Sequence, residues 1–276
     1  MHERFRAFSF VDRITSIRPG VRIRGKYAIP SAVEAFPSSL VAEAVGQLAA
    51  WAAMSAVGFE RRPFVAGLAG SIELLAPVRP GQELEMTVEL ESVDAEAAAA
   101  VDGSPVLRLH NCVGPMLPQE DYDDPRLLRD RFELLCGPGA APGGFGGVPT
   151  LPLRYVGGET GQCARAQLQV PASAPFFADH FPRRPVFPGS LLMHENMQLA
   201  ALLATEIPVP TDHPRWVLQT VSNLKLRAFI PPGATLELAA KVTEQSVDSA
   251  AVAVETRMGG RVGGGARVLL VPEKPS

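Results

Sequence analysis

The chain has 276 residues, of which 46% are hydrophobic and 20% are charged, and its formal net charge at pH 7 is −3. These values are ordinary for globular proteins and argue against a largely disordered chain. A chain of this length is expected to fold as two domains. Its slight negative charge argues against nucleic-acid binding, which requires clustered basic residues.

Neither a targeting segment nor a cysteine-based site is predicted. The first residues lack the apolar core of a signal peptide, and the least polar stretch, residues 44–59, is too short to cross a bilayer. We therefore expect a cytoplasmic protein without a membrane span. The three cysteines have no CxxC spacing, which predicts neither a disulfide framework nor a zinc site.

The first half of the chain predicts a hairpin, a helix and a set of strands. Residues 9–17 and 21–29 alternate in polarity around an Arg-Pro-Gly turn, as expected for a β-hairpin. A helix follows, with Ser38 or Ser39 placed to cap it. One face of this helix carries Leu40, Glu43, Ala44, Gln47, Leu48 and Trp51. Strands are predicted next at residues 71–78, 82–90 and 106–113.

Between the halves, residues 119–135 predict a short acidic helix. Residues 136–147 are rich in glycine and proline, and we interpret them as a flexible tether. No strand and helix flank this tether in the order that a phosphate-binding loop requires. The same order of hairpin, helix and strands then recurs, with strands predicted at residues 222–230, 234–242 and 250–258.

The second half repeats the first. Residues 36–50 and 187–201 align without a gap and are identical at eight of fifteen positions. Two copies at this spacing indicate a duplicated domain and not a solenoid. One long helix and an antiparallel sheet per copy predict an α+β fold. The predicted boundaries are residues 1–116 for the first domain, 117–150 for the helix and linker, and 151–276 for the second domain.

Residues 174–192, APFFADHFPRRPVFPGSLL, hold a histidine in a proline-rich loop directly before the second helix. This string resembles the signature of the 3-hydroxyacyl-(acyl carrier protein) dehydratases of fatty-acid synthesis, and FVDRI and PVRPGQEL in the first copy are similar to flanking segments of that family. The resemblance implies a tandem double hotdog, in which each sheet wraps a long helix. Arg183 departs from the glycine that is usual at its position.

The resemblance also implies an active site between two hotdog units, with a histidine from the loop of one and an acid from the helix of the other, fourteen positions after the motif histidine. In the second copy that position is His194, whereas its equivalent in the first copy is Glu43. The first copy has five residues, 31–35, where the second has the fifteen of residues 172–186. These complementary losses predict an intrachain pseudo-dimer with one composite site, formed by His180 and Glu43.

Such a pair suits removal of water from a 3-hydroxyacyl thioester to give a trans-2-enoyl thioester. A histidine, with an ordinary pKa of about 6.5, suits the base that takes the Cα proton. A carboxyl on an apolar helix, here Glu43, is expected to have a raised pKa and to act as the acid. The backbone N–H of Gly189, at the start of a helix, is predicted to hold the enolate oxygen.

Further residues are expected to support this pair. Gln47, one turn beyond Glu43, is preferred over Gln198 as the group that orients the acid. The motif itself adds Phe181 and Pro188 as supporting residues. His194 and Glu195 form half of an HExxH zinc motif, but Gln198 stands where the second histidine would be, so we expect no metal.

The resemblance implies that no cofactor is needed, because the substrate is carried on the phosphopantetheine of acyl carrier protein or coenzyme A. Arg183 and Arg184, with Arg61 and Arg62, are candidates to contact such a carrier, although scattered surface arginines are an equal alternative. A role in fatty-acid, polyketide or related lipid synthesis follows. The sequence leaves open the acyl chain length, the carrier, double-bond isomerisation and whether two chains form a homodimer.

Two other functions stay open at this point. One is a non-catalytic subunit that binds acyl thioesters, since the truncated loop of the first copy shows that a site can decay. The other is a hotdog thioesterase, which the His180 loop makes less favoured.

Overall fold

The computed structural model describes residues 4–63, 67–90, 95–141, 144–210 and 212–274. Its helices are α1 (Ser38–Ala56), α2 (Pro125–Cys136) and α3 (Gly189–Ala204), and short 3-10 turns cover Gln119–Asp121 and Pro175–Ala178. None of the described helices is long and apolar enough to cross a membrane.

The strands follow the predicted order in both copies. They are β1 (Arg13–Arg18), β2 (Arg22–Ala28), β3 (Arg61–Pro63), β4 (Leu68–Leu74), β5 (Glu83–Leu90), β6 (Ala95–Val101), β7 (Ser104–Val113), β8 (Met116–Pro118), β9 (Leu153–Glu159), β10 (Cys163–Gln169), β11 (Trp216–Leu226), β12 (Thr235–Gln245), β13 (Ala250–Met258) and β14 (Arg261–Pro272). The two predicted hairpins are β1–β2 and β9–β10. Their turns place Gly20 and Gly161 at φ of 69° and 66°, a conformation that glycine adopts without strain.

Twelve of these strands form one antiparallel sheet whose order shows the duplication. The order is β1-β2-β5-β6-β7-β4-β11-β14-β13-β12-β10-β9, so the second copy mirrors the first. The copies meet at β4 and β11, where Ile72 lies opposite Val221. The remaining strands, β3 and β8, pair with each other, and β8 spans the predicted boundary after residue 116. The two copies therefore form one continuous sheet joined at its centre.

Each long helix packs on the strands of its own copy, and the two helices also contact each other. In α1 the side chains of Leu40, Val45 and Leu48 are fully buried. Gly25 of β2 allows this approach, because a Cβ atom there would lie 2.8 Å from a methyl carbon of Leu48. Truncating such a leucine to alanine costs about 2–5 kcal/mol, so this contact contributes substantially to the fold.

The predicted cap of α1 was wrong. The N-cap residue is Pro37, whose side chain makes no capping hydrogen bond, and Ser38 and Ser39 are already helical. Ser39 is fully buried, because it faces the interior of the molecule and not the free N–H groups of the first turn.

The connection between the copies contains the predicted helix. Asp124 caps α2 by accepting a hydrogen bond from the backbone N–H of Arg126 at 2.9 Å. The interpretation of residues 136–147 as a flexible tether needs correction for the part that is described, since residues 142–143 lie outside it. Phe145 is 5% exposed, with its ring centroid 5.1 Å from that of Phe10. Burying such a ring contributes about 1.5–3 kcal/mol, which anchors the linker to the first copy.

Candidate active site

A narrow cavity of about 70 Å³ lies at the contact between the two copies. Its walls come from the N-terminal segment (residues 4–11), from α1, β3 and α2, and from the loop before α3. His180 and Glu43 both line it. The structure therefore brings together the two residues that we paired from the sequence.

The loop that carries His180 is held by its own backbone. The backbone N–H of His180 donates to the carbonyl of Phe176 at 2.8 Å, in an i→i−4 bond that follows the 3-10 turn. Phe181 adopts a φ of 66°, a left-handed conformation that is uncommon for a bulky residue. After the prolines, the N–H of Phe187 donates to the carbonyl of Ile230 at 2.8 Å. These contacts fix the histidine before the helix begins.

The imidazole of His180 has a defined tautomer. Its Nδ1 lies 2.7 Å from the carbonyl oxygen of Val186. A carbonyl only accepts hydrogen bonds, so Nδ1 carries the proton and the neutral ring leaves the Nε2 lone pair free. Burial and, to a smaller extent, the charge of Arg62 lower the pKa of His180 to about 4, against the opposing effect of the hydrogen bond to Val186. The ring is therefore neutral at pH 7 and able to accept a proton at Nε2.

The carboxyl group of Glu43 is buried on α1, with 4% of the residue exposed. Burial raises its pKa, against the hydrogen bond from Gln47 and the nearby hydroxyl of Ser190. The Ser190 oxygen itself has no partner within hydrogen-bonding geometry. Gln47 Nε2 donates to Glu43 Oε1 at 3.0 Å. A carboxyl in this environment favours its protonated form, which suits a general acid.

Gln47 is held by the N-terminal segment. Its Oε1 accepts the backbone N–H of Phe10 at 2.8 Å, and its Nε2 also donates to the carbonyl of Phe8 at 3.0 Å. These bonds fix which end of the amide faces Glu43. Gln47 therefore connects the acid to the backbone of the N-terminal segment.

Arg62 of β3 adds a positive charge to the cavity wall. Its guanidinium lies 4.0 Å from the ring centroid of Phe181. Burial lowers the pKa of Arg62 to about 10, so it stays charged at pH 7. Its charge lowers the pKa of both Glu43 and His180. Arg62 thus influences both members of the pair, whereas the sequence suggested it only as a contact for the carrier.

Gly189 is the first residue of α3, and Pro188 is its N-cap. First-turn N–H groups such as that of Gly189 have no partner within their own helix. A Cβ at residue 189 would lie 2.3 Å from Leu226 Cδ1, so a larger residue would have to displace the end of that leucine side chain. Neither Gly189 nor Pro188 belongs to the lining of the cavity, whereas Phe181 does.

Helix α3 has a glutamine one helical turn after His194, as α1 has one after Glu43. The side chains of Gln198 and His194 lie 3.4 Å apart, and those of Gln47 and Glu43 lie 3.0 Å apart. Gln198 is exposed and does not line the cavity, so the structure separates it from the composite pair.

Arg183 and Arg184 are exposed on the loop beside the cavity. Arg183 Nη1 donates to the carbonyl of Glu120 at 2.6 Å. The guanidinium of Arg184 lies 5.0 Å from the ring centroid of Phe229. In the described part of the chain neither arginine forms a salt bridge with a carboxylate. Both charges therefore face solvent next to the His180 loop.

Asp179, directly before His180, also lines the cavity and was not identified from the sequence. Its carboxylate accepts the backbone N–H groups of Phe5, Arg6 and Phe8. Arg4 adds a bidentate ion pair to the buried Asp123. The only signal in the sequence was a carboxylate next to the motif histidine, which by itself says nothing about its partners.

Sequence comparisons place the similarity in the second copy. Residues 158–260 match a family model described as ApeI-like, ApeI dehydratase. The 3-hydroxyacyl-(acyl carrier protein) dehydratase FabZ of Rickettsia rickettsii (strain Sheila Smith) is 37% identical over 76 residues, which cover 28% of this chain and 52% of that protein. FabZ of Rickettsia felis is 34% identical over 93 residues, covering 32% and 64%. The chain thus spans about half to two thirds of the length of these relatives.

Solved structures match almost the whole chain. The dehydratase domain of PpsC from Mycobacterium tuberculosis, in complex with C12:1-CoA, has a TM-score of 0.58 at 13% identity and covers 97% of this chain and 100% of its own. A putative oleoyl thioesterase from Lactobacillus plantarum has a TM-score of 0.60 at 9% identity, with 93% and 97% covered. A pyran synthase domain of the sorangicin pathway scores 0.57 at 14% identity, with 96% and 98% covered.

At these identities the structural likeness shows the fold alone, and it includes proteins with different activities. The family model that matches the copy with the His180 motif describes a dehydratase, and FabZ is also a dehydratase. Residues 158–260 are therefore similar to dehydratases, and the whole chain has the α+β hotdog fold in tandem.

Proposed function

We propose that this protein is a hydro-lyase that removes water from 3-hydroxyacyl thioesters and releases trans-2-enoyl thioesters, at one composite site per chain. The observation that carries the proposal is the pairing, in one cavity, of a neutral imidazole with a free Nε2 and a carboxyl whose pKa is raised by burial. Dehydration needs a base and an acid of this kind at the same substrate.

In the proposed reaction His180 Nε2 takes a proton from Cα of the thioester and becomes imidazolium. The electron pair of the broken C–H bond forms the Cα–Cβ double bond as the Cβ–O bond breaks. Glu43 gives its proton to the departing hydroxyl, which leaves as water, and becomes a carboxylate. Transfer of the proton from His180 back to Glu43 restores the starting state.

Negative charge develops on the thioester oxygen during this step. We assign its stabilisation to the N–H of Gly189, because helix N-termini favour anionic groups. Gln47 holds the carboxyl of Glu43 in place through its own bonds to the N-terminal segment. The site uses no cofactor in this scheme.

The substrate is proposed to arrive on acyl carrier protein or coenzyme A, since both present a thioester on phosphopantetheine. The exposed Arg183 and Arg184 are proposed to meet the acidic or phosphorylated carrier. Comparison of turnover with the two carriers tests this part of the proposal. Equal turnover with a thioester that lacks both carriers would contradict it.

The direct test is formation of the enoyl thioester from a 3-hydroxyacyl thioester, followed by its ultraviolet absorbance and by mass. We expect His180→Ala and Glu43→Gln to lower kcat/KM by about a hundredfold or more, because each removes a proton-transfer group. His194→Ala is the matched control, since it alters the equivalent helical position at the mirror site, and we expect it to retain activity.

Loss of activity in His194→Ala alone would overturn the assignment of the site. An active wild type that hydrolyses the thioester without forming an enoyl product would favour a thioesterase. Binding of thioesters without turnover, over all chain lengths and both carriers, would favour a non-catalytic subunit.

A further inference from the structure

Helix α2 lies in the connection between the two copies, yet it forms part of the wall of the candidate active site. Leu128 and Leu135 line the same cavity as His180 and Glu43. They are 4% and 1% exposed. A segment outside the repeated units therefore closes the space next to the pair.

The inward face of α2 packs against the far end of α1. Phe132 stacks on Trp51, with ring centroids 6.1 Å apart and an interplanar angle of 30°. Trp51 and Met54 line the cavity opposite α2 and are 8% and 3% exposed. With the two buried leucines of α2, these side chains give the wall an apolar surface of the kind that binds an acyl chain, and Arg131 of α2 lines the cavity beside them.

The space left between these walls is small. A cavity of 70 Å³ has room for on the order of five water-sized groups. The carbons that react at His180 and Glu43 occupy part of it, so only a short alkyl extension fits beyond them.

We propose that α2 is the specificity-determining wall of the acyl site and that Leu128 and Leu135 restrict it to short-chain 3-hydroxyacyl thioesters, of about four to six carbons. This inference rests on the proposed function for the identity of the substrate. The wall itself is a property of binding and is tested separately from turnover.

Binding is measured with saturated acyl-coenzyme A thioesters of about four to twelve carbons, which have no 3-hydroxyl group and undergo no dehydration. The chain has two tryptophans, so a Trp216→Phe background reports on Trp51 alone by its fluorescence. Each methylene that enters an apolar cavity tightens binding about fourfold. We expect the affinity to rise with chain length and then to level off or fall near six carbons.

The variants Leu128→Ala and Leu135→Ala each remove three carbon atoms from the wall. We expect the chain length at which the affinity stops rising to increase by about two or three carbons in these variants. Leu127→Ala and Leu134→Ala are matched controls, because these neighbours on the same helix are 45% and 38% exposed, and they should leave the series unchanged. Leu128→Val and Leu135→Val serve if the alanine variants fail to fold.

Turnover of the matching 3-hydroxyacyl thioesters is then compared across the same variants. If the variants bind longer chains than the wild type, the role of α2 as the wall is supported. This holds even if no variant turns over substrate, in which case only the proposed function fails. If the variants and the wild type have the same limiting chain length, the role of α2 as the wall is contradicted even if the enzyme is active. An affinity of the wild type that keeps rising through twelve carbons would contradict it as well.

Discussion

At the scale of single residues, the site is governed by burial and by one positive charge. Burial lowers the pKa of His180 and raises that of Glu43, so both groups are uncharged over a shared pH range. Arg62 lowers both pKa values and thus moves them in the same direction. A base and an acid in their active forms together are what dehydration needs.

The pH profile follows from these shifts. The proposed reaction requires neutral His180 and protonated Glu43, so activity should be lost as the pH falls through the pKa of His180, near 4, and as the pH rises through the raised pKa of Glu43. We expect a bell-shaped profile of kcat/KM whose acid limb lies well below the ordinary histidine pKa of about 6.5. An acid limb at the ordinary value would show that burial does not control His180.

Replacing Arg62 tests the effect of its positive charge on the pKa values of His180 and Glu43. Arg62→Met removes the charge that lowers both pKa values, so both limbs of the kcat/KM profile should move to higher pH. Arg61→Met is the matched control, because Arg61 is the exposed neighbour on the same strand and should leave the limbs in place. A shift to lower pH, or equal shifts in both variants, would contradict the role assigned to Arg62.

The sequence allowed His180 and Glu43 to be paired because each copy lacks what the other retains. Arg62 and Asp179 could not be found in this way. Arg62 is distant in the chain from Phe181, on which it lies, and Asp179 bonds to backbone groups some 170 positions away. Contacts of such separation leave no local pattern in a single sequence.

At the scale of elements, Asp179 holds the N-terminal segment against the loop that carries His180. Two of the three hydrogen bonds measure 2.9 Å, from Arg6, and 2.7 Å, from Phe8. The same segment carries Phe8 and Phe10, whose backbone groups hold Gln47. One carboxylate therefore fixes a segment that in turn orients the residue next to the acid.

Removal of this carboxylate should loosen the segment. Hydrogen bonds to charged groups contribute about 1.5–3 kcal/mol each, so Asp179→Ala should speed amide hydrogen exchange at Phe5, Arg6 and Phe8 by about tenfold or more. The strands of the second copy should keep their exchange rates. Asp130→Ala, at an exposed carboxylate of α2, is the control. Unchanged exchange at these three amides would show that the segment is held by its apolar contacts instead.

Helices and strands whose hydrophobic residues recur at a regular spacing were predictable. Elements whose composition favours a different structure were not. The hairpins and long helices follow from alternation and helical spacing. Residues 97–100 are all alanine, the best helix former, yet they form the middle of β6 between β5 and β7. Pairing on both sides overrides the local preference. Similarly, one aromatic residue, Phe145, anchors a linker whose glycine and proline content suggested a tether.

At the scale of the whole molecule, the duplication produces symmetry in the sheet and asymmetry in the sites. Both copies contribute six strands in mirrored order, and the two long helices meet at the junction. The composite cavity combines the helix of the first copy with the loop of the second. Its mirror counterpart has His194 on the helix and only residues 31–35 where the loop would be. The mirror junction therefore lacks the loop that carries His180 in the second copy.

One binding event per chain is the consequence that calorimetry can measure. Titration of the 276-residue chain with a saturated short-chain acyl-coenzyme A should give a stoichiometry near one, because only one of the two junctions contains the loop. His194→Glu restores an acid at the mirror position, but it does not restore the missing residues that would carry a histidine and close the pocket. We therefore expect His194→Glu to keep the stoichiometry and the rate of the wild type, whereas a stoichiometry of two in either protein would mean that the mirror junction binds thioesters without the loop.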